Sequence, residues 1–295
     1  MAVSVTQAGI QQGNIIITTD GLPDPALYGT PLGSGLFPGT TNVVSDHGQT
    51  IYTLPYRAGQ AVPSNFPDAA PVAVGAVVGV TLTGVKILTA SISGPLPGSI
   101  VNPPTGFVHN AVFAEDSLAV DICGGVPLIN GDYVYRSGSF LVNCWGSKVI
   151  ASNTYFSSSN YRSDYFRHSD GHSKIIGISF DGYPIYGPFG YSLQSDPRSE
   201  PTRMTSSYRP IPSPKLGRVY SYSQKQLGTY IQDFEYVENI GTLDQYNGRF
   251  TKTPDFPNGT YAYFMTFDVQ NRPVYPYIIG PSFASTIGSA SHDHP

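Results

Sequence analysis

The sequence predicts an all-β protein: a large antiparallel, β-sandwich-like domain with long Gly/Pro-rich loops and very little helix. Three observations carry that expectation. The 295 residues include 32 Gly and 26 Pro, which interrupt the chain too often for long helices. Apolar residues come in short period-two runs or unbroken β-branched stretches, without the i, i+3, i+4 spacing of an amphipathic helix. Charged residues make up only 12% of the chain against 21 tyrosines, so there is little of the charge that a solvated helix face carries.

In chain order, NIIITT from Asn14 reads as a strand, stopped by DGLPDP at Asp20 to Pro25 and followed by a Gly/Pro-rich loop. Gly33, Gly35 and Gly39 in that loop do not have the dinucleotide-binding spacing. A second strand runs from Thr50 to Leu54, and a third, Val78 to Thr83, turns at Gly84 into Val85 to Ala90 as a hairpin. Residues 91–106, rich in Ser, Gly and Pro, are either an internal boundary or a long surface loop. Turn-rich sequence follows from Asp121 to Gly138, then a segment around the single Trp145, then a polar stretch to Asp170. Ser195 to Gly217 is loop-like, Tyr230 to Val237 reads as an edge strand, and Thr260 to Asp268 as a strong strand. The expected organisation is one β domain over 1–282 with a Ser/Gly/His tail over 283–295 standing apart.

The stretch HSKIIGISFDGYPIYGPFGY, His172 to Tyr191, organises the rest. Its β-type residues Ile175, Ile176, Ile178 and Phe180 break at Asp181-Gly182, a turn pair. Aromatic residues interleaved with Pro184, Gly187, Pro188 and Gly190 then form a stiff loop, either a packed corner or the wall of a site.

Composition narrows the function. The formal net charge of −4 comes without a Lys/Arg cluster, which argues against nucleic acid as a partner. No run nears the roughly 20 apolar residues of a membrane helix. The start has no signal-peptide pattern, so synthesis in a cytoplasm without export is expected. Cys123 and Cys144 allow one disulfide at most, or two thiols. Ser179 sits in G-I-S-F-D, but a nucleophile elbow needs glycine where Asp181 stands.

The histidines are His47, His109, His168, His172, His292 and His294. His168 and His172 are spaced i, i+4, but Ser169-Asp170-Gly171 between them reads as a loop rather than the helix face of a zinc protease. His292-Asp293-His294 in extended chain puts both imidazoles on one side, and three copies around an axis would offer six nitrogens to one metal ion. His172 and Asp181 are a second candidate metal pair, with His109 and Cys123 beside them in an enzyme reading.

These residues resemble the YHYH-domain family from roughly Asn14 to Pro281. The resemblance rests on the signature stretch, with His172, Asp181, Gly182, Pro184, Tyr186, Gly187 and Pro188 matched, and on D-x-C-G-G-x-P with Asp121, Cys123, Gly124 and Gly125. L-D-x-x-N-G-R-F from Leu243 supports it. Where the family's Y-H-Y-H would fall stand Tyr133, Val134, Tyr135 and Arg136, and Val126 replaces the histidine of C-G-G-H-P. The segments carrying those lost histidines are expected to face the signature stretch. Because Val and Arg do not ligate metals, the resemblance implies a scaffold without catalytic residues or cofactor, unless the tail histidines hold an ion. Relatives of this kind include secreted bacterial proteins and virion proteins of marine tailed phages, those of cyanobacteria among them. The expected role is therefore a virion structural subunit in a tail, fibre or capsid decoration, contacting copies of itself, other virion proteins or a host glycan. A metal-binding protein or hydrolase, and a sugar-binding module using exposed tyrosines of Tyr183 to Tyr191, are the alternatives.

Overall fold

A computed structural model describes residues 5–22, 49–64, 71–92, 94–95, 102–110, 112, 124–128, 132–141, 167–212 and 227–293. Strands β1 (Val5–Gln11) and β2 (Asn14–Thr19) form a hairpin, and β3 (Gln49–Pro55) pairs along the far side of β2. Gln12 and Gly13 both have positive φ, 48° and 78°, which is the type I′ geometry that suits a two-residue hairpin. Next come β4 (Val77–Thr81), β5 (Lys86–Leu88), β6 (Ser91–Ile92), β7 (His109–Asn110), β8 (Gly125–Pro127) and β9 (Tyr133–Tyr135). The signature stretch supplies β10 (Ile175–Ser179), β11 (Pro184–Tyr186) and β12 (Phe189–Tyr191). The remainder is β13 (Pro201–Arg203), β14 (Tyr208–Pro210), β15 (Phe234–Tyr236), β16 (Gly248–Thr251), β17 (Thr260–Phe264) and β18 (Ser289–Asp293).

The main sheet has the order β16-β17-β11-β10-β4-β5-β9-β8, and a second sheet the order β1-β2-β3-β18. Pairing is mostly antiparallel, with β11/β17 and β5/β9 parallel inside the main sheet. The all-β expectation holds: among the described residues helix is confined to a 3-10 turn at Ile231–Asp233 and a short turn at 139–141. No described helix is long and apolar enough to cross a membrane.

The two sheets share one core. Alternation along β2 and β3 sends Ile17, Tyr52 and Leu54 into the same buried cluster as Val80, Ile87, Ile176, Ile185 and Tyr263 of the main sheet. Tyr52 meets Phe180 edge-on, with ring centroids 5.8 Å apart. Each such fully buried side chain contributes about 1.5–3 kcal/mol to holding the two sheets face to face.

Three segments bear on the sequence expectation. Residues 91–106 mark no division, since β6 pairs with β7 and the core draws on both sides of the segment. Residues 230–237 do not run as one strand: the Asp233 carboxylate accepts from the backbone N–H groups of Gly228 and Tyr230, curling 231–233 into the 3-10 turn before β15. The tail does not stand apart. Phe283 and Ala284 are core residues and β18 adds to the free side of β3.

Candidate functional site

The signature stretch places its two polar hallmarks at opposite ends of β10. At the far end, the turn 179–183 closes through Ser179 N–H to Tyr183 O (2.9 Å) and Gly182 N–H to Ser179 O (2.9 Å). Gly182 sits at φ +85°, and a Cβ there would lie 1.8 Å from Pro55 O, so neither conformation nor space admits a side chain. Asp181 is fully buried and saturated. Its Oδ1 accepts from the Ser179 hydroxyl, and its Oδ2 from Tyr263 OH (2.7 Å) and the Ser285 N–H (3.2 Å). Tyr263 OH in turn accepts from the Ala284 N–H at 2.9 Å. One carboxylate thus ties the β10–β11 turn to β17 and to the segment leading into β18. Burial raises its pKa to about 6, against the pull of its three donors. Ser179 is a member of this bracing network, not a nucleophile beside a base.

At the near end, the turn 168–172 is closed by His168 N–H to His172 O (2.8 Å). Asp170 holds it, accepting from the His172 N–H (2.9 Å) and from Tyr191 OH (2.5 Å). His172 is 0% exposed, walled by the rings of Tyr186, Tyr191 and Phe264 at centroid distances of 5.2, 4.8 and 6.2 Å. Its Nδ1 lies 2.7 Å from Ser173 O. A carbonyl only accepts, so Nδ1 carries the proton and the neutral ring keeps its lone pair on Nε2. Nε2 is buried and has no hydrogen-bond partner among the described residues. Desolvation lowers the His172 pKa to about 4, the Ser173 carbonyl and Asp170 pulling the other way. Just outside, Asp255 Oδ2 accepts from Tyr186 OH (2.9 Å) and lies 3.3 Å from His168 Nε2.

Several expected residues do not converge. Asp181 and His172 are separated by the length of β10, so they are not a ligand pair. His109 lies in β7, stacked on Tyr230 at 5.3 Å, away from both. Tyr183, Tyr186 and Tyr191 are buried, with hydroxyls bonded to Ala61 O, Asp255 and Asp170, so they present no face to a glycan. His292 stands in β18 opposite Thr50. Asp121, Cys123, Cys144, His47 and His294 lie outside the described residues. Conversely, Asp170 and Asp255 belong to the site without having been singled out; Asp255 is 87 positions from His168, and no sequence spacing links them.

A family model described as YHYH protein matches residues 55–275. The chain belongs to the YHYH family. No curated protein and no solved structure matches it. The second sheet of β1, β2, β3 and β18 therefore lies outside the family-matched span except for Pro55.

Within the YHYH domain, the positions where the resemblance places the family's histidines are occupied mainly by packed apolar side chains. Val126 and Val134 are cross-strand partners in β8 and β9 and pack with Leu88 in a small apolar cluster. Tyr133 and Tyr135, on the other face of β9, enter the main core, and Tyr135 stacks on Phe140 at 4.1 Å. A Cβ on Gly125 would lie 1.8 Å from the Tyr133 hydroxyl oxygen, which explains a glycine after Gly124. Arg136 donates through Nη1 to Thr89 O (3.1 Å) and Ser91 O (3.3 Å), bracing the start of β6. These segments do not face His172. β9 stands three strands from β10, about 14 Å at the usual strand spacing. Pro184 and Tyr186 are buried in β11, and Gly187-Pro188 link β11 to β12, where Pro188 O accepts from the Met204 N–H (2.8 Å).

Proposed function

We propose that the chain is a structural subunit of a tailed-phage virion, in a tail, fibre or capsid decoration, with the YHYH domain as scaffold and the second sheet as its assembly surface. One observation carries the reading: a four-stranded sheet has been added outside the family-matched span, and both its edges, β1 and β18, are open among the described residues. Strand edges are usually blunted by charge or proline, and β1 (VTQAGIQ) has neither. Directions alternate across the sheet, so the β1 edge of one copy and the β18 edge of another in the same orientation would meet antiparallel. Ile10, Tyr56 and Ile287, 60%, 38% and 50% exposed, add apolar surface at one end of this sheet. The low charge and the resemblance to phage virion proteins point the same way.

Light scattering on the purified chain at micromolar concentration tests this. The expected result is a closed homo-oligomer that Gln7→Lys/Gln11→Lys converts to monomer without unfolding it. A wild-type monomer at every concentration would remove the reading.

A further inference from the structure

We propose that His172 Nε2, His168 Nε2 and Asp255 Oδ2 form a binding site for one divalent transition-metal ion of the zinc class, independently of the assembly reading. The first ground is the state of His172. A ring whose Nδ1–H is committed to a main-chain carbonyl offers its other nitrogen as a ligand lone pair, the usual outer arrangement of a metal-bound histidine. That lone pair is fully buried and without a partner among the described residues, a condition that destabilises the fold unless something binds there.

The second ground is the geometry next to it. Two ligand atoms each about 2.0 Å from one tetrahedral ion are about 3.3 Å apart, and His168 Nε2 lies 3.3 Å from Asp255 Oδ2. Two imidazoles sharing one ion have centroids about 5 to 6 Å apart, and those of His168 and His172 are 6.5 Å apart. Among the described residues no three His, Cys, Asp or Glu side chains already stand around one point. His168 and Asp255 must therefore close on His172, and they have the freedom to do so: their side chains are 27% and 31% exposed, while His172 is held by its ring wall. The outer shell exists already. Tyr186 OH donates to Asp255 Oδ2, and Asp170 holds the turn that carries both histidines. Two imidazoles and one carboxylate suit zinc, cobalt or iron(II) rather than calcium or magnesium.

The experiment is a Co²⁺ titration of the full chain, followed by its visible absorption, in the wild type and in His292→Ala/His294→Ala to exclude the tail. One ion per chain is expected in both. His168→Ala and Asp255→Asn should each weaken binding at least about tenfold, with unfolding curves like the wild type, and His172→Gln should abolish it. Absence of a Co²⁺ band, loss of the band in the tail variant, or a band indifferent to His168→Ala and Asp255→Asn would overturn the assignment. Because those two positions are half-exposed, the outcome stands even if His172→Gln does not fold.

Discussion

The two ends of β10 are built from the same sequence signature and treat their buried polar groups in opposite ways. At Asp181 every carboxylate oxygen has a donor, and the donors come from its own turn and from two distant segments, so the group works as a clamp. At His172 one nitrogen is spent on the neighbouring carbonyl and the other faces no partner among the described residues. A buried polar group that holds a fold together is normally satisfied; one left unsatisfied points to a role other than holding the fold. The loop is thus a brace at one end and a candidate ligand site at the other.

The comparison is tested most severely at the braced end. Gly182→Ala combines a positive φ with a Cβ on top of Pro55 O, at 1.8 Å, in backbone that cannot move without separating β3 from the turn. The expected loss exceeds about 4 kcal/mol, seen as insoluble protein or a collapsed urea midpoint. A stable Gly182→Ala protein would mean that the turn and β3 are not in contact.

Asp181→Asn should cost about 2–3 kcal/mol at pH 7, because an amide opposes one of the three donors with a donor of its own. It also changes the pH dependence. Asp181 has a pKa raised from 3.8 to about 6, so its contribution to stability is full below 3.8 and is lost as pH rises through about 6. Asp244, also raised to about 6 by burial, has the same sign. His172, lowered from 6.5 to about 4, contributes above 6.5 and loses its contribution as pH falls through about 4. The two ends of β10 therefore slope in opposite directions across the same window. In metal-free protein, urea titrations from pH 4 to 7 should show Asp181→Asn removing a decline of up to about 3 kcal/mol, the slope between the unfolded and folded pKa values being about 1.4 kcal/mol for each step of one in pH. Parallel wild-type and variant profiles would contradict the buried, titrating carboxylate.

Much of this fold is legible in the residues. NIIITT, the hairpin turning at Gly84 and the strand from Thr260 all announce themselves by β-branched or alternating composition, and all are present. The second sheet is only half legible. VTQAGIQ and SASHD lack apolar periodicity, and they are strands because a type I′ turn folds β1 onto β2 and because β3 leaves an edge open. At the site, His172 and Asp181 both stand out, but their proximity in sequence suggests one site where a five-residue strand separates them. Asp255 could not be tied to His168 by any spacing, since only the tertiary fold brings a loop 87 positions away to that turn.

The smallest expected effect sharpens the comparison most. His172→Phe keeps a ring of similar size against Tyr186, Tyr191 and Phe264. It gives up the Nδ1–H bond to Ser173 O, about 1 kcal/mol, and deletes the unpartnered Nε2, which returns a similar or larger amount. Metal-free His172→Phe should therefore unfold within about 1 kcal/mol of the wild type at pH 7, while Asp181→Asn, nine positions on, does not. A histidine that folding barely needs is one that the protein uses for something else. A loss above about 2 kcal/mol would place His172 with Asp181 as a second clamp, and the two ends of β10 would then differ in chemistry but not in purpose.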